Sequence, residues 1–125
     1  MFMTLRFEDI LAWQKAYKFV LLTYKALAVY PKEEKYGLCS QFQRAAVSIT
    51  ANIAEGYKRI SKADKLHFFN FAQGSLEECR CYLHLSKDLG YIDEHVYSQL
   101  YESLEETSKL LNGYCRGIIN NAYKD

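Results

Sequence analysis

The sequence has little that would break a helix and no segment that would span a membrane. One proline and six glycines occur among 125 residues, and no apolar run approaches the roughly 18–20 residues that a membrane helix needs. The N-terminal stretch reaches the acidic residues Glu8 and Asp9 where a signal peptide would continue apolar. We therefore expect a cytoplasmic chain with no membrane partner.

Motifs for metals and cofactors are also lacking. The four cysteines, Cys39, Cys79, Cys81 and Cys115, contain no C-x-x-C pair. Only Cys81 and His84 would share a helical face, and two ligands do not complete a zinc site. No Gly-rich phosphate loop occurs. The sequence predicts reduced cysteines packed as small apolar side chains, without a metal or a cofactor.

The composition is that of a globular protein. Half of the residues are hydrophobic and 25% are charged, which excludes disordered and collagen-like chains and favours one domain over residues 1–125. The net charge is only +1, but residues 1–65 carry eleven Lys or Arg against six Asp or Glu, and residues 66–125 carry five against nine. This asymmetry permits a basic face in the first half without establishing one.

Apolar residues recur at alternating spacings of three and four in four blocks, which is the pattern of amphipathic helices. The predicted helices cover approximately 8–29, 37–56, 62–89 and 93–118. No alternating run of β-branched residues indicates a strand. Because short loops join these long helices, we predict an all-α fold, an antiparallel up-down-up-down four-helix bundle.

Individual residues are assigned to the core stripe and to the helix ends. In the first helix the spacing leaves Phe19 off the stripe that faces the bundle, and the predicted members of that stripe are Ile10, Trp13, Tyr17, Val20, Tyr24 and Leu27. Gly56 is predicted to end the second helix, and Gly90 the third, because glycine adopts the left-handed conformation that terminates helices.

A polar stripe follows the second helix within an arc of roughly 80°. Its members are Gln41, Arg44, Ser48, Asn52, Glu55 and Arg59. Spacings of three and four allow side-chain bonds along the helix. One interpretation is a partly buried hydrogen-bond network that fixes helix register. The other interpretation is a surface that contacts a ligand or a phosphate.

The second helix has more apolar surface than a monomeric bundle can cover. Val47, Ala51 and Ala54 lie on the side away from its core stripe. A helix that is apolar on most sides is usually covered on most sides. We therefore predict that these three residues belong to a subunit interface of a homo-oligomer.

A basic cluster surrounds the turn between the second and third helices. Its members are Lys58, Arg59, Lys62 and Lys65, with Tyr57 and Phe68 close in sequence. Cations that pair with phosphates and rings that stack on bases are what single-stranded nucleic acid needs. The cluster is a candidate nucleic-acid contact, and the alternative is a solvated turn.

No catalytic residue is predicted. The neighbouring carboxylates Glu77 and Glu78 would point about 100° apart on a helix and cannot share one substrate proton. Arg80 and His84 resemble the paired residues of all-helical HEPN ribonucleases. In that family the two stand further apart and a polar residue usually follows the arginine, whereas Cys81 follows it here.

The run from Arg44 to Gly56, with Asn-Ile-Ala-Glu-Gly at 52–56, resembles the signature of the 23S rRNA intervening-sequence proteins, also called four helix bundle proteins. Further similarity lies in residues 7–16, 30–31, 36–38, 40–41, 59, 61 and 72–78. The resemblance implies a ring-like homopentamer with no enzymatic activity or cofactor, encoded within an insertion of a bacterial 23S rRNA gene. A related branch, the accessory variability proteins of diversity-generating retroelements, is strongly basic and binds nucleic acid and a reverse transcriptase.

Three hypotheses about function follow. The first is a non-enzymatic, self-assembling bundle that binds structured RNA, single-stranded nucleic acid or a ribonucleoprotein partner weakly through the turn between the second and third helices. The second is an oligomeric scaffold that binds proteins and has no nucleic-acid role. The third is a helical ribonuclease-like enzyme.

Overall fold

Four long helices and two short 3-10 helices make up the structure. The computed structural model describes residues 6–120, within which there is no strand. In chain order the elements are a 3-10 helix Phe7–Asp9, α1 Leu11–Leu27, a 3-10 helix Lys32–Glu34, α2 Leu38–Lys58, α3 Lys62–Asp88 and α4 Glu94–Asn120. The all-α prediction is confirmed.

Each helix packs against the helices before and after it in the chain, and α4 also packs against α1. Among the described residues, α1 does not contact α3 and α2 does not contact α4. Across α2 and α3, Phe42 lies beside Tyr82, whereas Gly56 lies against Phe69. Sequence numbers therefore rise in α2 as they fall in α3. The other neighbouring pairs run the same way, which confirms the antiparallel up-down-up-down bundle.

The core stripes of α2 and α3 are those that the spacing predicts. The largest side chains that are fully buried in these helices include Phe42, Ile49, Ile53, Phe69 and Leu83. They project inward at intervals of three and four, so each helix buries one continuous face. The polar stripe lies beside this buried face of α2, on the side that contacts α3.

The core stripe of α1 is the predicted one in part. Ile10, Val20 and Leu27 are buried as the spacing predicts, but the two tyrosines of the predicted stripe are not. Tyr17 and Tyr24 are each 46% exposed, whereas Phe19 is fully buried. The buried face also carries Ala12 and Ala16. These small residues let neighbouring helices approach closely, and both tyrosine side chains stay partly exposed.

Gly56 does not end α2, because the helix continues to Lys58. Gly56 is buried, and a Cβ at this position would lie 2.6 Å from the ring of Phe69. Its role is to let α3 approach α2. Arg59 is the first extended residue, with φ of −68° and ψ of 152°, so the turn begins there.

The helix α3 ends just before Gly90, as the sequence predicts. Gly90 has a φ of 77°, its N–H donates to the carbonyl of Lys87, and the N–H of Tyr91 donates to the carbonyl of Ser86. These two bonds form a Schellman motif. At the other end of α3, the Ser61 hydroxyl accepts from the N–H of Asp64 at 3.1 Å, and α3 therefore starts at a defined residue beside the basic turn.

Candidate nucleic-acid interface

The middle of the polar stripe joins α2 to α3. The Ser75 hydroxyl of α3 donates to Ser48 Oγ at 2.8 Å, and Asn52 Nδ2 donates to the same oxygen at 2.9 Å. Asn52 also donates to the Ser48 carbonyl at 2.9 Å. Ser75 is buried. This part of the stripe is a small hydrogen-bond network that holds the register of the two helices.

The C-terminal part of the stripe is an exposed ion pair. Arg59 Nη2 lies 2.6 Å from Glu55 Oε2, with side chains 43% and 52% exposed. The Arg59 guanidinium also lies 4.4 Å from the centre of the Phe68 ring on α3. Asn52 bonds to Ser48 instead of Glu55, so the two parts of the stripe are separate.

The N-terminal part of the stripe, Gln41 and Arg44, is exposed. Burial raises the pKa of the neighbouring Tyr82 hydroxyl, nearby Glu78 raises it further, and the charge of Arg44 acts in the opposite sense. The stripe as a whole combines a structural centre with two charged ends.

The basic cluster splits in a similar way. Lys58 and Arg59 are exposed, whereas Lys62 and Lys65 are half-buried. Lys65 Nζ donates to the Tyr57 carbonyl at 2.8 Å. A cation at the end of a helix stabilises the carbonyls there, because they carry the negative end of the helix dipole. Lys65 is thus a capping residue for α2.

The predicted interface residues lie at the surface of the single chain. Val47 and Ala51 are exposed and Ala54 is half-buried. Ala51 and Ala54 also line a cleft of about 450 Å³ that they share with Phe7 and Tyr57. Other helices also expose large apolar side chains. On α1 these are Leu11, Tyr17 and Leu21, and on α3 they are Phe71 and Leu85.

Arg80 and His84 do not form a pair. Arg80 makes ion pairs with Glu77, at 3.0 Å, and with Glu105 of α4. His84 Nδ1 lies 3.4 Å from the Tyr97 hydroxyl of α4. Each residue therefore interacts with acidic or phenolic groups of its own bundle.

The cysteines are free thiols within residues 6–120. Burial raises the pKa of Cys79 and of Cys115, so both stay protonated and pack as small apolar groups. No group of three or more His, Cys, Asp or Glu residues that would hold a metal occurs in the part of the chain that the structure describes. Among the helices within that part, none carries an apolar stretch of membrane-spanning length.

One surface was missed by the sequence reasoning. Lys32, Lys35 and Tyr36 line a groove between the end of α1 and the start of α2. The sequence signal was available, since two lysines and a tyrosine follow the single proline, Pro31. The stretch also carries two glutamates, and sequence alone does not show which charges face the groove.

The comparison with protein families matches the 23S rRNA-intervening sequence protein model over residues 8–113. The chain belongs to this family. The match includes the polar stripe and the basic turn. The family's link to retroelement accessory proteins stays a prediction.

A solved structure supports the same fold for the family. It is the crystal structure of a protein with unknown function from the S23 ribosomal protein family of Bacteroides thetaiotaomicron. The two chains share 25% identity with a TM-score of 0.78, and the match covers 84% of this chain and 98% of the other. No curated protein matches the chain.

Proposed function

We propose that this member of the family is a non-enzymatic, self-assembling bundle that associates with RNA or a ribonucleoprotein through the α2–α3 turn. The observation that carries the proposal is the exposed cationic turn itself. Lys58 and Arg59 lie at the surface beside Ile60, which is 90% exposed. Phosphates bind such cations without regard to base sequence.

The contacts at the turn support weak binding. Arg59 is engaged by Glu55, and Lys65 is engaged by the Tyr57 carbonyl. Either residue must exchange a protein partner for a phosphate, which offsets part of the gain. The net charge of +1 adds little long-range attraction. We therefore expect micromolar apparent affinity at low salt and little sequence preference.

Self-assembly would compensate for weak single sites. The exposed apolar residues on α2 and α1, including Val47, Ala51 and Leu21, form surfaces that a second subunit can cover. The family resemblance favours a homopentamer. A ring presents the same turn several times, and simultaneous contacts raise the apparent affinity without any new interaction.

The engagement of Arg80 supports a role without catalysis. A ribonuclease arginine must reach the scissile phosphate. Here Glu77 and Glu105 occupy the Arg80 guanidinium, and His84 contacts Tyr97. A phosphate would have to displace two carboxylates, which repel it.

RNA binding is tested by fluorescence anisotropy of a labelled RNA hairpin at two salt concentrations. The variant Lys58→Ser/Lys62→Ser should lower the affinity, and its slope of log K against log salt should be less steep by about 1.4 if both lysines contact phosphates. The variant Lys18→Ser/Lys109→Ser removes the same charge from α1 and α4 and serves as the control. Absence of wild-type binding at low salt, or equal losses in both variants, would contradict the proposal.

Assembly is tested by light scattering at micromolar concentration. Wild-type protein should have the mass of an oligomer, and Ala51→Glu should dissociate it, because a carboxylate buried in an apolar interface is costly. Ser98→Glu adds the same charge on the exposed face of α4 and should leave the mass unchanged. A monomeric wild type would remove the assembly from the proposal.

A protein-binding scaffold is the second candidate. The exposed apolar residues of α1 and α3 favour it, because they can accommodate a partner protein as well as a subunit. An oligomer that binds no RNA in the anisotropy experiment would support this second function and exclude the first.

A further inference from the structure

The groove between α1 and α2 lies at the opposite end of α2 from the basic turn. It holds about 620 Å³. Its lining includes Tyr24 from α1, Lys32, Lys35 and Tyr36 from the connecting segment, and Ser40 and Gln43 from α2. Aromatic, cationic and neutral polar groups therefore surround one opening.

Two tyrosine rings at this groove are poorly packed. Tyr36 is 86% exposed and Tyr24 is 46% exposed. Lys35 Nζ lies 5.3 Å from the centre of the Tyr36 ring. An exposed ring beside a cation contributes little to the fold, but it offers a flat surface on which a base can stack. A stacked base also contacts the neighbouring cation.

Among the described residues, the groove is lined by two lysines and by no acidic residue, although two glutamates lie between these lysines in sequence. Lys32 and Lys35 are exposed and form no ion pair within residues 6–120. Of the two glutamates between them, Glu33 is exposed and does not line the groove. The Glu34 carboxylate accepts from the Tyr91 hydroxyl at 2.8 Å and from the Leu38 N–H at 3.0 Å. Glu34 therefore faces the protein, and the groove keeps a positive rim.

We propose that this groove binds a nucleotide of a single-stranded RNA segment, with the base against Tyr36 and the phosphate against Lys32 and Lys35. Ser40 and Gln43 supply hydrogen-bonding groups for the base edge or the 2′-hydroxyl. The inference rests on the proposed RNA association, and it adds a second contact at the other end of α2. An acidic peptide would use the same lysines but would gain less from the exposed rings.

The experiment is photo-crosslinking of the full chain to a short single-stranded RNA that carries 5-iodouridine. Trypsin cuts after Lys35 and Arg44 and releases residues 36–44, whereas the aromatic residues next to the turn fall in residues 45–58 and 66–80. We expect the crosslink on Tyr36. Tyr36→Ser should abolish it and weaken binding roughly tenfold, since stacking on an aromatic ring commonly contributes that much per base. Ile60→Ser, at the turn, should leave it intact.

The outcomes separate this inference from the proposed function. A crosslink confined to residues 45–58 or 66–80 would overturn the groove and retain RNA association at the turn. No crosslink and no anisotropy change at low salt would overturn both. Displacement of the RNA by an equimolar amount of AMP would identify a free nucleotide as the ligand, and displacement by polyglutamate would identify an acidic peptide. Either displacement overturns the assignment to RNA.

Discussion

Lysines or arginines flank both ends of α2 in the sequence, and the structure uses them differently. At the C-terminal end, Arg59 and Lys65 are held by a carboxylate and by a backbone carbonyl. At the N-terminal end, Lys32 and Lys35 line an open groove, while Glu34 is occupied by protein donors. The cluster with more cations, at the turn, is therefore the one whose cations interact more with the protein itself.

This difference shows that the number of cations in a segment does not tell how many of them the fold itself uses. At the turn, two cations first stabilise the end of α2 and its contact with α3. At the groove, the fold makes no comparable use of the lysines.

The close contact of α2 and α3 at the turn gives the largest expected effect. Gly56→Ala places a Cβ against the buried Phe69 ring, which also packs on Tyr114, and should lower the free energy of unfolding by about 1–3 kcal/mol. Gly74→Ala is the matched control, since no atom lies within 4 Å of its Cβ position. It should raise stability by about 0.5–1 kcal/mol. The free energies of unfolding are measured by urea denaturation. Equal changes in the two variants would contradict the close contact between α2 and α3 at Gly56.

The capping role of Lys65 comes next. Lys65→Met keeps the aliphatic stem and removes the ammonium that donates to the Tyr57 carbonyl. The free energy of unfolding should fall by about 1 kcal/mol. Lys58→Met removes the same charge from an exposed position of the same turn and should change stability by less than about 0.5 kcal/mol. Identical chemical-denaturation midpoints for both variants would show that Lys65 is solvated like its neighbour.

The polar stripe should divide into a structural part and a surface part. Ser75→Ala removes the hydrogen bond to Ser48 inside the α2–α3 contact and should cost about 1 kcal/mol. Glu55→Gln removes only the exposed ion pair with Arg59, so it should cost less than that and lose its effect at about 1 M salt. A large, salt-independent loss at Glu55 would instead place it in one network with Asn52.

The smallest effect concerns Glu34 at the start of α2. The Leu38 N–H and the Tyr91 hydroxyl donate to this carboxylate and lower the pKa of Glu34 below its ordinary value. A carboxyl whose folded pKa is lowered stabilises the protein above the unfolded pKa, and loses that contribution as pH falls through the folded pKa. Wild type should therefore be slightly more stable than Glu34→Gln at pH 7, with the difference closing in acid. A gap in urea midpoints that is constant from pH 7 to about pH 3 would contradict this.

Most of the fold follows from the spacing of apolar residues. In α2 and α3 large side chains such as Ile49, Ile53 and Leu83 mark one face each, and the structure buries that face. In α1 the spacing correctly marks Val20 and Leu27, but aromatic residues occupy several faces, and the structure buries Phe19 instead of the predicted tyrosines. The stripe with Ala12 and Ala16 looks weaker in sequence, yet small residues let helices pack closely.

The candidate surfaces follow from the sequence only in part. Helical spacing brings Ser48 to Asn52 and Glu55 to Arg59, since residues four apart share a face. It does not reveal Ser75, which reaches Ser48 from another helix, or Tyr91, which turns Glu34 away from the groove. Both contacts join residues far apart in sequence. Such contacts between distant residues decide which charged side chains remain available to a ligand.

The central claim, that this bundle associates with RNA, is tested most directly in the cell that makes the protein. The full chain carrying an affinity tag is irradiated in living cells, purified under denaturing conditions, and the covalently attached RNA is sequenced. The account predicts RNA whose recovery depends on irradiation, falls in Lys58→Ser/Lys62→Ser and Lys32→Ser/Lys35→Ser, and is unchanged in Lys18→Ser/Lys109→Ser. Recovery of no RNA above the unirradiated sample, with the protein expressed and folded, would contradict it.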